Sequence, residues 1–398
     1  MTHSKKRFND AQKILTAIVL LLLLVFVVPF IVWYFIPTRP ISIVVVDKTT
    51  GSDFREHRSF FWLMHHWKYT KPDSQNYYNH QEDYYGFFPQ DSSYSDPSQL
   101  RLSNADLLYI TDTYGVYTHP LGFENYEKIL SDKYLPMQLK YGGLTSAELD
   151  SIEAFKKYGG MSIAEFNTLQ DPQSRDTIIQ QRISSIFGVR YAGALGKYYD
   201  DLNAAPRWMK IRYEESGRKT WNYSGRGIII TIERQIGDTK PGLIVLESSD
   251  LQLSPVILRN SDYDLLSKTD DKVPYFNFFE YVDVDPSARV IAQFEMQCTP
   301  SGNEKILSAG LPFVFPAVVI SDSTAHNLYF AGDFTDNKVE MLLTRYWNAE
   351  FLLGKLFSFY IVSDQTRFFW KFYLPLMKEI LGQSYNRTLV EKQSDHNK

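Results

Sequence analysis

Acidic residues stand at the ends of several apolar runs, and they are the first side chains here that could do chemistry. Two carboxylates facing one cleft can act as acid and base in glycoside hydrolysis, and several together can bind a divalent ion. Acidic residues also commonly follow strands as turn formers and helix caps, so both interpretations stay open. Glu165 and Asp333 are the foremost candidates in the full set, which is Asp47, Asp112, Glu165, Glu247 and Asp333.

A second candidate site is an aromatic cluster in the polar stretch between residues 71 and 102. Its rings are interleaved with Asn, Gln, Glu and Asp. Aromatic faces beside hydrogen-bonding side chains suit stacking on sugar rings, and they also suit contact with another protein. The same rings could instead fold back over the protein's own sheet. The predicted ligand-binding residues are Tyr77, Tyr78, Tyr84, Tyr85, Phe87 and Phe88.

Metal and cofactor chemistry finds little support in the sequence. The single cysteine, Cys298, excludes a disulfide framework and a cysteine-based zinc site. His65 and His66 are adjacent, so on a helix they point about 100° apart and are poorly placed to chelate one ion. We therefore predict no metal site and no cofactor. The net charge of -4 gives no indication of nucleic-acid binding.

The elements that must position these residues are those of an α/β fold. Continuous apolar, β-branched runs at 41–47, 106–111 and 161–166 are typical of strands buried on both faces. Helices are predicted at 57–69, after a capping box of Thr145 and Glu148, and at 174–187. This alternation with short connections predicts right-handed βαβ units and an open, mostly parallel sheet with flanking helices.

The second half of the chain has a different rhythm. Short strand candidates separated by turn residues predict an antiparallel β extension inserted at about 204–310 of an α/β domain that covers 38–336. A last core strand is predicted at 327–331. Aromatic helices are predicted at 337–382, either covering the sheet or resting on a membrane. Residues 383–398 are polar and predict a flexible tail.

One segment near the N-terminus carries no charge over 23 residues, from Ile14 to Ile36. About 20 apolar residues cross the hydrocarbon core, so we predict a transmembrane helix in which neighbouring groups satisfy the carbonyl freed by Pro29. A cleaved signal peptide is the alternative, but its apolar region is shorter and ends in small residues. The positive-inside rule then predicts a single-pass cell-membrane protein with residues 1–13 in the cytoplasm and the main domain outside. The basic residues behind this prediction are Lys5, Lys6, Arg7 and Lys13.

The segment from Leu144 to Arg190 resembles the class I glutamine amidotransferase-like (flavodoxin-like) superfamily. In that family a strand leads into a nucleophile turn, and a helix ends in a Phe-Gly-Val type element. Here residues 161–166 take the strand's place, and 187–189 end the helix. NLYFAGDF, from Asn327, resembles the late strand that carries the family's catalytic His-x-Glu pair. The resemblance implies an α/β domain of that fold.

The residues that perform the family's chemistry are missing from this chain. An activated cysteine needs a thiolate on the turn and a base within reach. The turn here reads Glu165-Phe166-Asn167, and the late strand ends in Gly332-Asp333 without a His-x-Glu pair. We therefore expect a degenerate member of the family, one that does not carry out the glutaminase reaction.

These observations predict a membrane-anchored, non-catalytic binding or scaffolding subunit of a cell-envelope assembly, linked to polysaccharide synthesis, export or processing. The expected partners are the membrane, other envelope or membrane proteins, and a glycan, but no nucleic acid. The alternative is a membrane-tethered glycoside hydrolase-like enzyme that uses the strand-end carboxylates.

Overall fold

The computed structural model describes residues 10–118, 138–217, 220–233, 242–260, 263–321, 326–356 and 366–396. The basic residues at positions 5–7 lie outside this part of the chain. The helices, in chain order, are α1 Asp10–Phe26, α2 Val28–Phe35, α3 Arg55–His66, α4 Ser146–Lys157, α5 Thr177–Phe187, α6 Arg207–Glu215, α7 Pro300–Ser308, α8 Ala349–Leu356, α9 Thr366–Phe368 and α10 Leu374–His396. Short 3-10 helices cover Pro97–Gln99, Gln173–Arg175, Leu202–Ala204, Asp264–Leu266 and Met341–Arg345, and a π-helical turn, Phe369–Tyr373, joins α9 to α10.

The strands are numbered in the same way. They are β1 Arg39–Pro40, β2 Ile43–Asp47, β3 Tyr69–Thr70, β4 Tyr85–Phe88, β5 Ser93–Tyr94, β6 Leu107–Asp112, β7 Val116–Thr118, β8 Gln138–Tyr141, β9 Met161–Glu165, β10 Val189–Tyr199, β11 Gly227–Ile232, β12 Gly242–Leu246, β13 Val256–Arg259, β14 Lys272–Pro274, β15 Phe279–Val284, β16 Arg289–Glu295, β17 Val314–Ile320 and β18 Asn327–Phe330.

The predicted buried strands form the centre of a ten-stranded mixed sheet. Its order is β14-β13-β16-β17-β18-β9-β6-β2-β4-β5. The five strands β4, β2, β6, β9 and β18 run parallel to their neighbours in this group. β6 and β9 are buried along their whole length, as continuous apolar runs require. The α/β class and these core strands are confirmed, including the late strand at 327–330.

Two helices begin and end as their sequence signals predict. Thr145 and Glu148 form the capping box that starts α4. Helix α5 ends at Gly188, whose φ of 69° is the left-handed conformation that glycine adopts without penalty. The helix predicted at 57–69 is α3, which begins at Arg55 and ends at His66.

The prediction of a mostly parallel sheet is wrong for half of the large sheet. Strands β17, β16, β13 and β14 continue it antiparallel beyond β18. A separate antiparallel sheet of order β12-β11-β10-β15 packs beside it. This extension begins at β10, before the predicted insertion. We missed β10 because Gly193 and Gly196 interrupt its apolar pattern, a mark usually associated with bulges, and its register does shift between Tyr191 and Leu195.

The described part of the C-terminal region is largely helical, at 341–345, 349–356 and 366–396, and it extends beyond the predicted helical segment; residues 357–365 lie outside the described residues. Helix α10 continues to His396, so the flexible tail expected from residue 383 is a helix instead. Ser384 and Thr388 are buried in it, and Arg387 donates hydrogen bonds to the carbonyls of Asp106 and Gly159. The polar composition that suggested a tail instead serves helix contacts with the start of the sheet.

The N-terminal helices α1 and α2 form one apolar unit from residue 10 to residue 35. It is long and apolar enough to cross a membrane, and its most apolar window is not buried. A signal sequence would satisfy the same criterion.

Candidate ligand site at the carboxyl edge of the parallel strands

Four of the five strand-end acids meet at one edge of the large sheet. Asp47, Asp112 and Glu165 are the last residues of the adjacent strands β2, β6 and β9. Asp333 follows the neighbouring strand β18. Ligands of open α/β sheets bind at this edge. The fifth acid, Glu247, follows β12 in the separate antiparallel sheet and does not join them.

Asp47 fixes the turn after β2. One carboxylate oxygen accepts hydrogen bonds from the backbone N–H groups of Thr49 and Thr50, at 3.0 and 2.9 Å. The other lies 2.6 Å from Nδ1 of His57, whose Nε2 lies 2.7 Å from the carbonyl of His80. Asp47 and His57 are fully buried, so this pair ties α3 to the end of β2 and has no open face for a ligand.

Asp112 is held by three loops. Its carboxylate accepts hydrogen bonds from the Thr49 hydroxyl, from the backbone N–H of Tyr114 at 2.7 Å, and from the Asn167 amide at 2.8 Å. Burial, together with the nearby charge of Asp47, raises the pKa of Asp112 to about 7. Its role in the structure is to join the loops that follow β2, β6 and β9.

Glu165 is buried completely and links β9 to the segment after β18. Tyr109 donates a hydrogen bond to one carboxyl oxygen at 2.8 Å, and the Thr335 hydroxyl contacts the other. The single hydroxyl proton of Thr335 goes to the carbonyl of Glu56, at 2.6 Å. The Glu165 carboxyl therefore donates to Thr335 in its protonated form. This agrees with its pKa, which burial raises well above the usual range.

The acids with an open face are Glu56, Asp333 and Asp336. Arg55 contacts Glu56 at 2.8 Å and Asp336 at 3.3 Å. The side chains of Glu56 and Asp336 are 13% and 11% exposed. Asp333 is buried to 7% exposure, and among the described residues its carboxylate has no hydrogen-bond or ion-pair partner. We call these four residues, Arg55, Glu56, Asp333 and Asp336, the open acidic cluster.

The electrostatics of the open acidic cluster favour protonated carboxyl groups. Burial raises the pKa of Glu56 to about 8, with a further contribution from Asp112. Burial, together with the charges of Asp336, Glu56 and Glu165, raises the pKa of Asp333 well above its usual range. Carboxyl groups with raised pKa values in a cleft mark candidate acid–base or binding sites. A protonated carboxyl can both donate and accept a hydrogen bond.

A cavity of about 460 Å³ lies beside the cluster. Of the open acidic cluster, Arg55 and Asp336 line this cavity, while Glu56 and Asp333 lie outside its lining. The other polar lining residues are Lys197, Asn277, Asn337, Lys338, Glu340 and Thr366, and aromatic and aliphatic side chains line the rest. The Asn277 amide donates hydrogen bonds to the carbonyls of Asp333 and Asp336 at 3.2 and 2.8 Å, which fixes the loop that carries both acids. The aromatic residues in the wall are Trp62, Tyr198, Phe276, Phe369 and Trp370.

Sequence inspection missed Arg55, Glu56 and Asp336. The sequence position of Glu56 and Asp336 was the signal that could have identified them. Glu56 lies in the first turn of the helix that follows β2, and Asp336 stands three residues after Asp333 in the late-strand loop. Lys197 and Asn277 had no signal, because they come from the antiparallel region and reach the site only through the packing of β10 and β15.

A buried ion pair supports this edge from below. The Lys48 ammonium contacts the Glu148 carboxylate and the carbonyl of Gly143, each at 2.6 Å. Tyr85 donates a hydrogen bond to the same carboxylate at 2.7 Å. Both charged side chains are almost fully buried, at 1% and 0% exposure. The pair therefore fastens the capping box of α4 to the turn that Asp47 forms.

The aromatic cluster packs largely on the protein itself. The Tyr78 hydroxyl donates to the carbonyl of Ile41, and the Tyr84 hydroxyl donates to that of Phe87. The Tyr84 and Phe88 rings pack at a tilt, with their centroids 4.7 Å apart. Glycan stacking by these rings stays a prediction, and at least two of the hydroxyl protons are already used internally.

Neither the cysteine nor the histidines form a reactive centre in the described residues. Cys298 is buried, and burial raises the pKa of its thiol to about 11, so it is not a thiolate. His65 and His66 contact the hydroxyl and the carbonyl of Thr344. Within the described ranges, no group of three His, Cys, Asp or Glu side chains is arranged to hold a metal ion.

Comparisons with known proteins give only distant structural neighbours. No protein-family model and no curated protein matches the chain. A solved ThuA-like protein from Bacteroides uniformis has 9% identity and a TM-score of 0.37, and the match covers 78% of this chain and 91% of that one. A second solved ThuA-like protein, from Parabacteroides merdae, has 11% identity and a TM-score of 0.35. That match covers 74% of this chain and 79% of the other. ThuA-like proteins belong to the class I glutamine amidotransferase-like fold.

Proposed function

We propose that this chain is a membrane-anchored binding subunit whose domain, a degenerate amidotransferase-like one, stands outside the cytoplasm. Its ligand would bind at the open acidic cluster and its cavity. The context we propose is a cell-envelope assembly that synthesises, exports or processes polysaccharide. The observation that carries the proposal is the Asp333 carboxyl group, which stands at a strand end at 7% exposure and has no hydrogen bond or ion pair to any described residue. A ligand that donates to this group, or accepts from its protonated form, would supply a partner.

The junction between the N-terminal helix and the domain supports retention of that helix. Trp33 is buried, and its indole N–H donates to the carbonyl of His66 at 2.9 Å. The buried Lys68 ammonium donates to the carbonyls of Trp33, Tyr34 and Ile36 at the C-terminal end of α2. A cation at this position also complements the helix dipole. Cleavage after the helix would remove both sets of contacts.

The chemistry of the site favours a ligand rich in hydroxyl or amino groups. Carboxyl groups that donate and accept, together with the Lys197 and Arg55 cations, match the hydroxyls of a sugar. Where one of these carboxyl groups is ionised, it attracts an amino sugar and repels an acidic one. Aromatic side chains in the cavity wall supply an apolar face. We therefore propose an oligosaccharide with neutral or amino sugars.

Thermal unfolding of the full-length protein in detergent tests this proposal. Chitosan, cellulose and galacturonan oligosaccharides are the probes, and the wild type is compared with Asp336→Asn and the matched control Glu247→Gln. We expect chitosan or cellulose oligosaccharides to raise the unfolding temperature of the wild type and the control, but not that of Asp336→Asn. A rise only with galacturonan, or an equal rise in Asp336→Asn, would refute the site.

A second candidate function is glycoside hydrolysis at the same cluster. The observation that favours it is the grouping of Glu56, Asp333 and Asp336 around Arg55, because a hydrolase needs two carboxyl groups at one site, one of them protonated. Burial raises the pKa of all three acids, which supplies the protonated one. Reducing ends released from the same oligosaccharides by the wild type, and their absence with Asp333→Asn, would favour this enzyme over the binding subunit. Binding without release would favour the subunit.

A further inference from the structure

The segment Met341–Leu356 carries apolar side chains that face away from the domain. Leu342 is 75% exposed, Phe351 54%, Trp347 46% and Leu352 38%. Single exposed apolar residues are ordinary, but several together on one short segment mark an interaction site. The segment also lies directly against the N-terminal apolar helix. If that helix spans a membrane, the lipid around it lies next to these side chains.

Two hydrogen bonds fix where the segment meets the helix. The backbone N–H of Trp347 donates to the carbonyl of Pro29 at 3.2 Å. The Tyr346 hydroxyl donates to the carbonyl of Val25. Pro29 has no N–H, so the Val25 carbonyl lacks its usual partner four residues on in the helix. Tyr346 supplies the missing donor, and its ring packs edge-on against Phe30 at 5.4 Å.

The position of these contacts along the N-terminal helix decides whether Tyr346 and Trp347 lie inside or outside the bilayer. The distance along the helix axis between Val25 and Ile36 is about 16 Å, at about 1.5 Å per residue. If the bilayer ended below Val25, only Ile14 to Val25 would remain inside it, about 18 Å against a hydrocarbon thickness of about 30 Å. A helix that spans the membrane must therefore carry Tyr346 and Trp347 into the outer half of the bilayer.

We infer that Met341–Leu356 is a second membrane-embedded element, which enters the outer leaflet beside the span and contacts acyl chains through Leu342, Trp347, Phe351 and Leu352. The lipid tails are the occupant of this face. The inference rests on the proposed anchor, and it adds that the domain is seated in the membrane and not tethered above it.

The contacts on the domain side fit this placement. Trp67, Glu350 and Lys378 form a polar group, with Glu350 2.5 Å from the Lys378 ammonium and 3.3 Å from the Trp67 indole nitrogen. The Trp62 indole donates to the carbonyl of Glu340. The segment thus turns Glu350 toward the domain and its exposed apolar side chains away from it, as an element at a membrane interface does. Its exposed charged residues, Arg345 and Lys355, have long side chains whose charged ends can reach the headgroup region.

Quenching by brominated lipids tests the inference on the full-length chain. In a Cys298→Ser background, single cysteines replace Leu342, Phe351, Leu20 and Ile178, and each carries an environment-sensitive fluorophore. Leu20 lies in the span and is the positive control. Ile178, which is 67% exposed in the first turn of α5, is the matched exposed apolar control. The protein is reconstituted into phosphatidylcholine vesicles with bromine at a middle carbon of the acyl chain.

We expect fluorophores at positions 342 and 351 to lose most of their emission, as at 20, while the one at 178 keeps it. Quenching at 20 alone would overturn the embedded segment and leave the anchor standing. Absence of quenching at position 20 as well as at 342 and 351 would refute the anchor itself. Cross-linking between copies through positions 342 and 351, without quenching there, would assign the face to a second copy of the chain and overturn the inference.

Discussion

Acidic residues end strands in both halves of the molecule, but only those of the parallel half come together. In the parallel half the strand ends share one edge, so Asp47, Asp112, Glu165 and Asp333 are buried side by side, and the first three have hydrogen-bond partners within the protein. In the antiparallel half successive strands end at opposite edges, and Glu247 stands apart from them. The difference teaches that topology, more than residue type, turns a carboxylate into part of a site.

The ion pairs differ between the halves in the same way. Lys48 and Glu148 below the carboxyl edge are buried, whereas Lys272 and Glu295 on the antiparallel strands are 47% and 33% exposed. A buried pair is costly to break because the remaining charge stays desolvated. An exposed pair contributes little because water and salt screen it.

The largest expected effect comes from breaking that buried pair. Lys48→Met leaves Glu148 buried without its cation, and we expect the free energy of unfolding to fall by about 3–5 kcal/mol. Lys272→Met, the matched control, should lower it by no more than about 1 kcal/mol. Urea unfolding of the full chain in detergent, followed by tryptophan fluorescence, measures both. Equal losses would remove the distinction between the halves.

A second substitution should stabilise the parallel half. Asp333→Asn replaces a buried carboxyl that has no described partner with a neutral side chain of similar size. We expect the free energy of unfolding at pH 8 to rise by about 1–3 kcal/mol, because folding no longer has to protonate this buried carboxyl group, whose pKa is raised in the folded state. The same urea titration measures it. A loss of stability would mean that the Asp333 carboxylate is satisfied in the folded protein.

The same edge should make stability depend on pH. The pKa values of Asp112 and Glu56 are raised to about 7 and about 8, so the folded state binds more protons than the unfolded state in this range. The free energy of unfolding should therefore fall as pH rises from about 4 to 8. Asp333→Asn should make this fall shallower. A rise in wild-type stability over the same window would contradict the raised values.

The smallest effect is expected in the antiparallel half. Cys298→Ser should leave oligosaccharide binding unchanged, because this buried thiol lies outside the acidic edge. The native thiol should also resist alkylation at pH 8, since burial holds its pKa at about 11. Rapid alkylation by iodoacetamide without unfolding would show a reactive cysteine where we describe none.

The sequence predicted the parallel core well because burial on both faces leaves an unmistakable apolar run, as in β6 and β9. It also placed the acids Asp47, Asp112 and Glu165 correctly at strand ends. It could not show that these three are held by internal contacts while Glu56 and Asp336 remain open. That division depends on partners such as Thr335 and Asn167, which reach them only across loops.

The antiparallel region was harder to predict for a related reason. Its strands draw stability from cross-strand contacts between distant segments, so glycine-containing β10 looks irregular in isolation. Helix α10 was misjudged at its end because Ser384 and Arg387 appear as surface residues until the helix packs against the start of the sheet.

Isothermal titration calorimetry tests the central claim, that the open acidic cluster is the ligand site, most directly. Chitosan oligosaccharide is titrated into the full chain in detergent, as wild type, Asp336→Asn and Glu247→Gln. We predict that Asp336→Asn weakens binding about tenfold or more, the loss of one hydrogen bond to a charged group, while Glu247→Gln binds like the wild type. Equal affinity of all three proteins, or weakening only with Glu247→Gln, would contradict the account.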